Sequence, residues 1–356
     1  MRRLRRSLLA LCALGVALPG GAQAAFTQVG GWGSLGTGPG QFGSGILGAG
    51  ANRQYDDPAG IALSPTGGTV YVVDTSNNRV QRFTPDGGFL GAFGYRAQDK
   101  GSIKLVILKG AFFQPEGLSV GSDGLLYIAD AGNDRVMVRN GFGVFHRRIS
   151  HHGSYPGELV QPWATAVGPS QVYVADQGNY RIRRFSRFGR YLGSFSTFGR
   201  APGQVVTPYG VAVNRPGNLV YVTDLIRNKL MIFTSLGTFI REVGVPGTGA
   251  GEFRRPAGVA VGPDGTVYVA ERCGYRVQRF EANGDFIETF GQTRLAAPTF
   301  LAVDNSSNVY VSDYHRVVKF APTSALARQS SPPASAAFHN GIDIGCRHVP
   351  LIDGGD

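Results

Sequence analysis

Apolar residues along this chain come in short runs separated by clusters of Gly, Pro, Asn and Asp, the punctuation of strands and turns rather than of helices. Val70-Tyr71-Val72-Val73 is apolar at every position, so both faces of that strand must be buried. Gly60 to Leu63, Val80 to Phe83 and Phe89 to Phe93 surround it, and Thr66-Gly67-Gly68 and Pro85-Asp86-Gly87-Gly88 supply turns between them. The pattern predicts four antiparallel strands. It then recurs: Pro58, Pro115, Pro162, Pro208, Pro256 and Pro298 open six such units, 42 to 57 residues apart. A small sheet that is apolar on both faces needs a neighbour on each side, and six of them stacked radially form a six-bladed β-propeller, an all-β fold.

The recurring Pro-x-Gly has a place in this fold. Proline is tolerated at a strand's first residue, and glycine lets backbones crowd where six inner strands converge on the axis. The sixth unit ends after its third strand at Phe320, while Phe26 to Gly33, ahead of the first unit, reads as an orphan fourth strand. Pairing the two closes the ring and removes an open sheet edge.

Composition narrows the picture. Gly accounts for 53 of 356 residues and charged residues for only 17%, which disfavours long helices, and 22 Phe with 14 Tyr supply a large core. Residues 1–24 read as a signal peptide: Arg2, Arg3, Arg5 and Arg6, an apolar run from Leu8 to Leu18, then Ala22-Gln23-Ala24. Its removal would lower the net charge from +11 to +7. The expected product is secreted or associated with the cell envelope, with the propeller over 25–320, an Ala/Ser/Pro-rich linker over 321–338 and a tail over 339–356. No later stretch is long and apolar enough to span a bilayer, and a monomer is expected. Cys273 and Cys346 remain; in an oxidising compartment they pair or stay as two thiols.

Val70-Tyr71-Val72-Val73-Asp74 followed by Asn78-Arg79-Val80, with Pro58-Ala59-Gly60 before it, resembles the NHL repeat. So do Gly36-Thr37-Gly38-Pro39-Gly40-Gln41-Phe42 and Gly247-Thr248-Gly249-Ala250-Gly251-Glu252-Phe253 between units. The resemblance covers about residues 26 to 320 and implies the same six-bladed architecture. Ala164 and Phe300 depart from it at the axial glycine, Lys229 at the Arg and Glu271 at the Asp. Propellers similar to this repeat include extracellular sensor domains and RNA-binding domains as well as lyases and lactonases that hold an axial metal.

Each unit carries an acid at the end of its second strand and a base soon after: Asp74 and Arg79, Asp130 and Arg135, Asp176 and Arg181, Asp224 and Lys229, Glu271 and Arg276, Asp313 and Arg316. Catalytic carboxylates would not recur once per unit, so these pairs are expected to brace loops. The six His show no metal-ligand spacing, and the residues after the six prolines, Ala59, Glu116, Trp163, Tyr209, Ala257 and Thr299, supply one acid where a calcium cage needs several. No catalytic residue, metal site or cofactor is therefore predicted; a metal-dependent lyase or lactonase-like enzyme with an axial site is the alternative. Glu116, Trp163 and Tyr209 should surround the mouth of the axis, with Tyr180-Arg181, Tyr275-Arg276 and Tyr314-His315 on loops of the same face. Aromatics beside arginine suit an extended ligand, although each could equally pack on the next blade. Seven arginines between Arg147 and Arg190 could attract anions. The expectation is a secreted, non-enzymatic recognition scaffold whose loop-bearing face binds an extracellular protein or an anionic envelope polymer, with nucleic acid disfavoured by export.

Overall fold

The structure, a computed structural model, describes residues 25–43, 58–96, 111–323 and 346. The expected leader, most of the linker and tail, and parts of the connections into blades 1 and 2 lie outside these residues. Six four-stranded antiparallel sheets form the ring. Blade 2 is typical, with Pro115–Val120, Leu126–Asp130, Arg135–Arg139 and Phe145–Ile149 in consecutive order. The second strands of all six blades, Val70–Asp74 and its counterparts, are buried almost end to end because a neighbouring sheet covers each face. Among the described residues no helix is long and apolar enough to cross a membrane.

The first strands of adjacent blades touch around the axis. A Cβ on Gly60 would lie 2.6 Å from the Glu116 carbonyl oxygen, and one on Gly117 would lie 2.6 Å from that of Trp163, so those positions admit no side chain. Antiparallel order sorts the connections onto two faces. Blade-to-blade connections and second-to-third-strand loops share one, here the loop face; the two hairpin turns of each blade lie on the other, the turn face.

Blade 6 is built from both ends of the described chain. Leu301–Val303, Val309–Asp313 and Arg316–Thr323 are completed by Ala25–Trp32, which pairs antiparallel with the third strand from Ala25 opposite Thr323 to Trp32 opposite Val317. The third strand thus runs three residues past Phe320, into the expected linker. Pro322 is accommodated because the second strand stops opposite Phe320, leaving it with a partner on one side only. The N-terminal strand is gripped from both sides: Phe26 stacks on Phe290 of blade 5 at 4.4 Å, and Trp32 meets Phe83 of blade 1 at 5.6 Å.

In blades 2, 3 and 4 the tyrosine of the second strand is a strut to the next blade. Tyr127, Tyr173 and Tyr221 donate their hydroxyls to the carbonyls of Arg187 (3.2 Å), Ser235 (3.1 Å) and Ala282 (2.9 Å) in the outer turns of blades 3, 4 and 5. Burial raises the pKa of Tyr71, Tyr173, Tyr268 and Tyr310 above 10.0 and that of Tyr221 to about 12.

Two outcomes follow from this architecture. Deleting residues 25–33 should unfold or oligomerise the protein; a melting curve and elution volume like those of the intact chain would refute closure by the N-terminal strand. The Tyr173 and Tyr221 phenols ionise less readily folded than unfolded, so the stability they contribute is complete below pH 10.0 and is lost as pH rises, for Tyr221 towards about 12. Thermal melts stepped across that window should fall continuously; a level Tm would show that the phenols are not protected.

Candidate functional site

The recurring acids are fully buried and hold the incoming blade-to-blade connections. Asp130 accepts the Phe113 N–H at 2.7 Å, Asp176 that of Val160 at 2.8 Å and Glu271 that of Arg254 at 2.8 Å. Asp313 takes two, from Ala296 and Ala297, at 2.8 and 2.6 Å. The paired arginine donates Nε to the carboxylate, at 2.7 Å for Arg79 on Asp74 and for Arg135 on Asp130, and at 3.0 Å for Arg181 on Asp176. Its Nη2 reaches carbonyls of the same connection: Gly38 and Gln41 for Arg79, Ala111 for Arg135, Ser154 for Arg181, Arg294 for Arg316. Arg276 binds Glu271 and the carbonyls of Gly249 and Glu252 in the same way. Burial pushes the pKa of Asp130, Glu271 and Asp313 up, and the arginine together with backbone N–H groups opposes it.

Blade 4 corrects the expected pairing. Lys229 Nζ lies 3.4 Å from Glu242, not on Asp224, which instead accepts backbone N–H groups from Val206, Thr207 and Arg227. Arg227, two residues earlier, takes the clamp's place: its guanidinium bonds the carbonyls of Gln204 and Arg200 and pairs with Glu242 at 3.0 Å. The flexible ammonium lacks the planar fork that reaches a carboxylate and carbonyls together.

At the mouth of the axis Trp163 and Tyr209 meet edge to face at 4.5 Å, and Tyr209 lies 5.4 Å from Phe300 of blade 6. Phe300 stands where most blades have glycine, so its ring enters the axis and caps it from below. Tyr209 is consequently 0% exposed and presents no surface; Trp163 above it is half-buried. Ala59, Glu116, Ala257 and Thr299 are buried at the same level. These rings and small side chains do not fit an axial metal, and among the described residues no three His, Cys, Asp or Glu side chains come together. Beneath the plug, a cavity of about 300 Å³ between the first strands, walled by Leu118, Val120, Val211 and Val213, opens on the turn face. There Arg215 of blade 4 donates to Asn305 of blade 6.

Tyr180, Tyr275 and His315 occupy one equivalent loop position in blades 3, 5 and 6, all left-handed, with φ of 54°, 55° and 59°. In blades 1, 2 and 4 that position is Asn78, Asp134 and Asn228, whose Oδ1 accepts the N–H of Gln114, Gln161 and Arg255 at 2.9, 2.8 and 2.8 Å, fastening the next blade. Asx residues tolerate this conformation; a ring there costs about 1 kcal/mol or more and forgoes the short acceptor. Burial lowers the pKa of His315, which lies 4.0 Å from the Tyr314 ring. Cys273, in the loop of blade 5, is disulfide-bonded to Cys346 (S–S 2.05 Å, Cα–Cα 5.4 Å), bringing residue 346 to the loop face.

Tyr180 has a partner that sequence reasoning missed. Phe198, in the connection to blade 4, packs on it at 5.0 Å and is 64% exposed. Tyr155 in the connection into blade 3 is 75% exposed, and Ile226 and Val245 of blade 4 continue the exposed apolar surface. The signal for Tyr155 lay in the aligned connections, where Gly38, Ala201 and Gly249 hold its position. The arginine-rich sector, by contrast, divides. Arg181 and Arg183 both bind Asp176, and Arg183 is buried. Arg187 and Arg190 lie in a turn on the opposite face. His151 and His152 sit exposed beside Glu158 (3.3 Å) and Asp134 (2.9 Å).

Residues 211–319 match a family described as a 6-bladed beta-propeller, and residues 55–83 match the NHL repeat. A search of the curated proteins finds no match. Among solved structures, a catalytically inactive virginiamycin B lyase from Staphylococcus aureus with quinupristin is similar at 17% identity and a TM-score of 0.53, covering 76% of this chain and 83% of that one. A gluconolactonase from Xanthomonas campestris is similar at 13% identity and a TM-score of 0.56, covering 74% and 85%. Hydrazine synthase of Kuenenia stuttgartiensis is similar at 14% and 0.53, covering 77% and 98%. At these identities the likeness is one of fold.

The clamps can be ranked by substitution. Arg135→Ala leaves the Asp130 carboxylate buried without its ion-pair partner and should cost about 3–5 kcal/mol in urea unfolding. Lys229→Ala removes only a partly exposed pair and should cost under about 1 kcal/mol. Equal losses would contradict the assignment of the blade 4 clamp to Arg227.

Proposed function

We propose that this six-bladed β-propeller, which matches the NHL repeat over residues 55–83, is a non-enzymatic recognition scaffold that binds a protein on the loop face of blades 3 and 4. The observation that carries this reading is the paired Tyr180 and Phe198, exposed together beside Tyr155 and close in the ring to Trp163. Exposed aromatics on a rigid support are the residues that anchor protein interfaces, because they desolvate a large area with little loss of side-chain freedom. The support here is stiff: Arg183 and Arg181 tie the connection bearing Tyr155 to Asp176. The same engagement of the arginines favours a protein over an anionic polymer as partner. The leader-like residues 1–24 support a site of action outside the cytoplasm or in the envelope.

The similar lyase and lactonase folds motivate the enzyme alternative, for which the half-buried His315 is the one basic group of suitable character. The plugged axis speaks against an axial site. A binding screen of the full chain against purified envelope proteins and immobilised envelope glycans separates the readings. Capture of a protein should weaken at least about tenfold in the Trp163→Ala, Phe198→Ala double variant. Full retention would discard the site, and turnover of quinupristin or a sugar lactone by the wild-type chain would sink the non-enzymatic reading.

A further inference from the structure

The turn face carries a second feature, independent of the loop face. At the tip of the third-to-fourth-strand turn, immediately before the turn's glycine, blades 1 and 5 have Asp86 and Asn283, the residue types such turns favour. Blades 2, 3 and 4 have Phe142, Phe188 and Leu236, which are 78%, 85% and 69% exposed. These side chains gain nothing from burial, and a polar residue suits the turn better. Three consecutive blades thus keep large apolar tips at a cost in solvation that the fold does not require.

Their geometry follows from the ring. Equivalent positions in successive blades are related by rotation about the axis, so the three tips stand at one height, along an arc of the rim. Each is carried by a separate hairpin, and the guanidinium of the preceding blade supports two of the rings: Arg82 lies 5.1 Å from the centroid of Phe142, and Arg147 lies 5.7 Å from that of Phe188.

Charge on this face is distributed with the tips. The turns of blades 2 to 4 carry Arg187, Arg190 and Arg215 against Asp123. Those of blades 5, 6 and 1 carry Asp86, Asp264, Glu281, Asp285 and Asp304, of which Asp86, Asp264 and Asp285 are paired with Lys319, Arg279 and Arg241 from the adjoining strands. Arg187 is paired with Asp123, so the half bearing the apolar tips keeps a positive excess at the exposed Arg190 and Arg215, and the other half keeps a negative one at Glu281 and Asp304.

We propose that the rim of blades 2 to 4 docks on an anionic lipid bilayer, with Phe142, Phe188 and Leu236 entering the headgroup and upper acyl region while the neighbouring arginines meet lipid phosphates. A coplanar row of separate, protruding apolar tips fits a flat, fluid surface that closes around each one. A protein partner needs a continuous complementary patch instead. Several weak anchors with Arg190 and Arg215 beside them together give reversible binding, and the absence of apolar tips from the turns of blades 1 and 5 sets the blade 2 to 4 edge against the surface.

The test is co-sedimentation of the full chain with vesicles of phosphatidylcholine alone and of equal parts phosphatidylcholine and phosphatidylglycerol. The triple variant Phe142→Asn, Phe188→Asn, Leu236→Asn places in three turns the residue type blade 5 already uses, so its melting curve should match the wild type. It should partition at least about tenfold less onto the anionic vesicles. Residues 1–24 are common to both proteins and cancel in that comparison. As a local readout, Phe188→Trp should give blue-shifted emission with anionic vesicles, reversed in part by salt. Equal partitioning of wild type and triple variant, or unshifted emission from Phe188→Trp, would overturn the proposal. So would concentration-dependent self-association that the triple variant abolishes, because the tips would then be an interface between copies of the chain.

Discussion

A fully buried carboxylate at the end of each second strand is the constraint around which the blades are arranged. A charge in that position is tolerable only with hydrogen-bond donors around it, joined in five of the six blades by a cation. The clamp arginine, five residues on or three in blade 6, supplies the cation, and the backbone entering the blade supplies the donors. The arginine's remaining donors then satisfy carbonyls of that same stretch. In five blades one ionic unit therefore ties the incoming connection to the second and third strands as one body, and in blade 4 Asp224 holds the connection through backbone N–H groups while Arg227 bonds its carbonyls. Segments that would otherwise be mobile become a stiff surface.

That arrangement determines what the loop face can offer. Its clamp arginines are held inward by their carboxylates, and exposed rings and aliphatic side chains gather on blades 3 and 4. The turn face is under no such demand. Its hairpin tips need only a residue compatible with the turn, and there the blades diverge freely, in charge as well as in apolar character. The two faces are thus chemically independent: one is set by the interior, the other by whatever lies outside.

The axis is governed by a third constraint, the room available to six converging strands. Glycine at the crossing points admits backbone but no side chain. Where Phe300 replaces it, the ring lies under Tyr209 and seals the centre from the loop face, leaving the cavity to open on the turn face alone. The fold is shared with solved lyases and a lactonase, while the closed centre is a feature of this chain's own residues.

The six-fold repeat, the four strands of each unit, closure by the N-terminal strand and five of the six ionic clamps were legible in the sequence. Each rests on local pattern repeated at a fixed spacing: a strand apolar on both faces demands neighbours wherever it lies, and an acid followed closely by an arginine turns back on itself through one loop. What depended on residues far apart in the chain was not legible. Tyr209 is buried by Phe300, ninety-one residues later, and Phe198 faces Tyr180 only because two loops of adjacent blades converge. Lys229 turns to Glu242 rather than Asp224, and Arg227 joins it there while bonding the neighbouring carbonyls; the pairing of Cys273 with Cys346, left open by the sequence, is made across a separation of 73 residues. Periodicity specifies which elements form and how many stack; which side chains then compete for a place on the axis or a face is decided by the curvature of the closed ring, which no local pattern records.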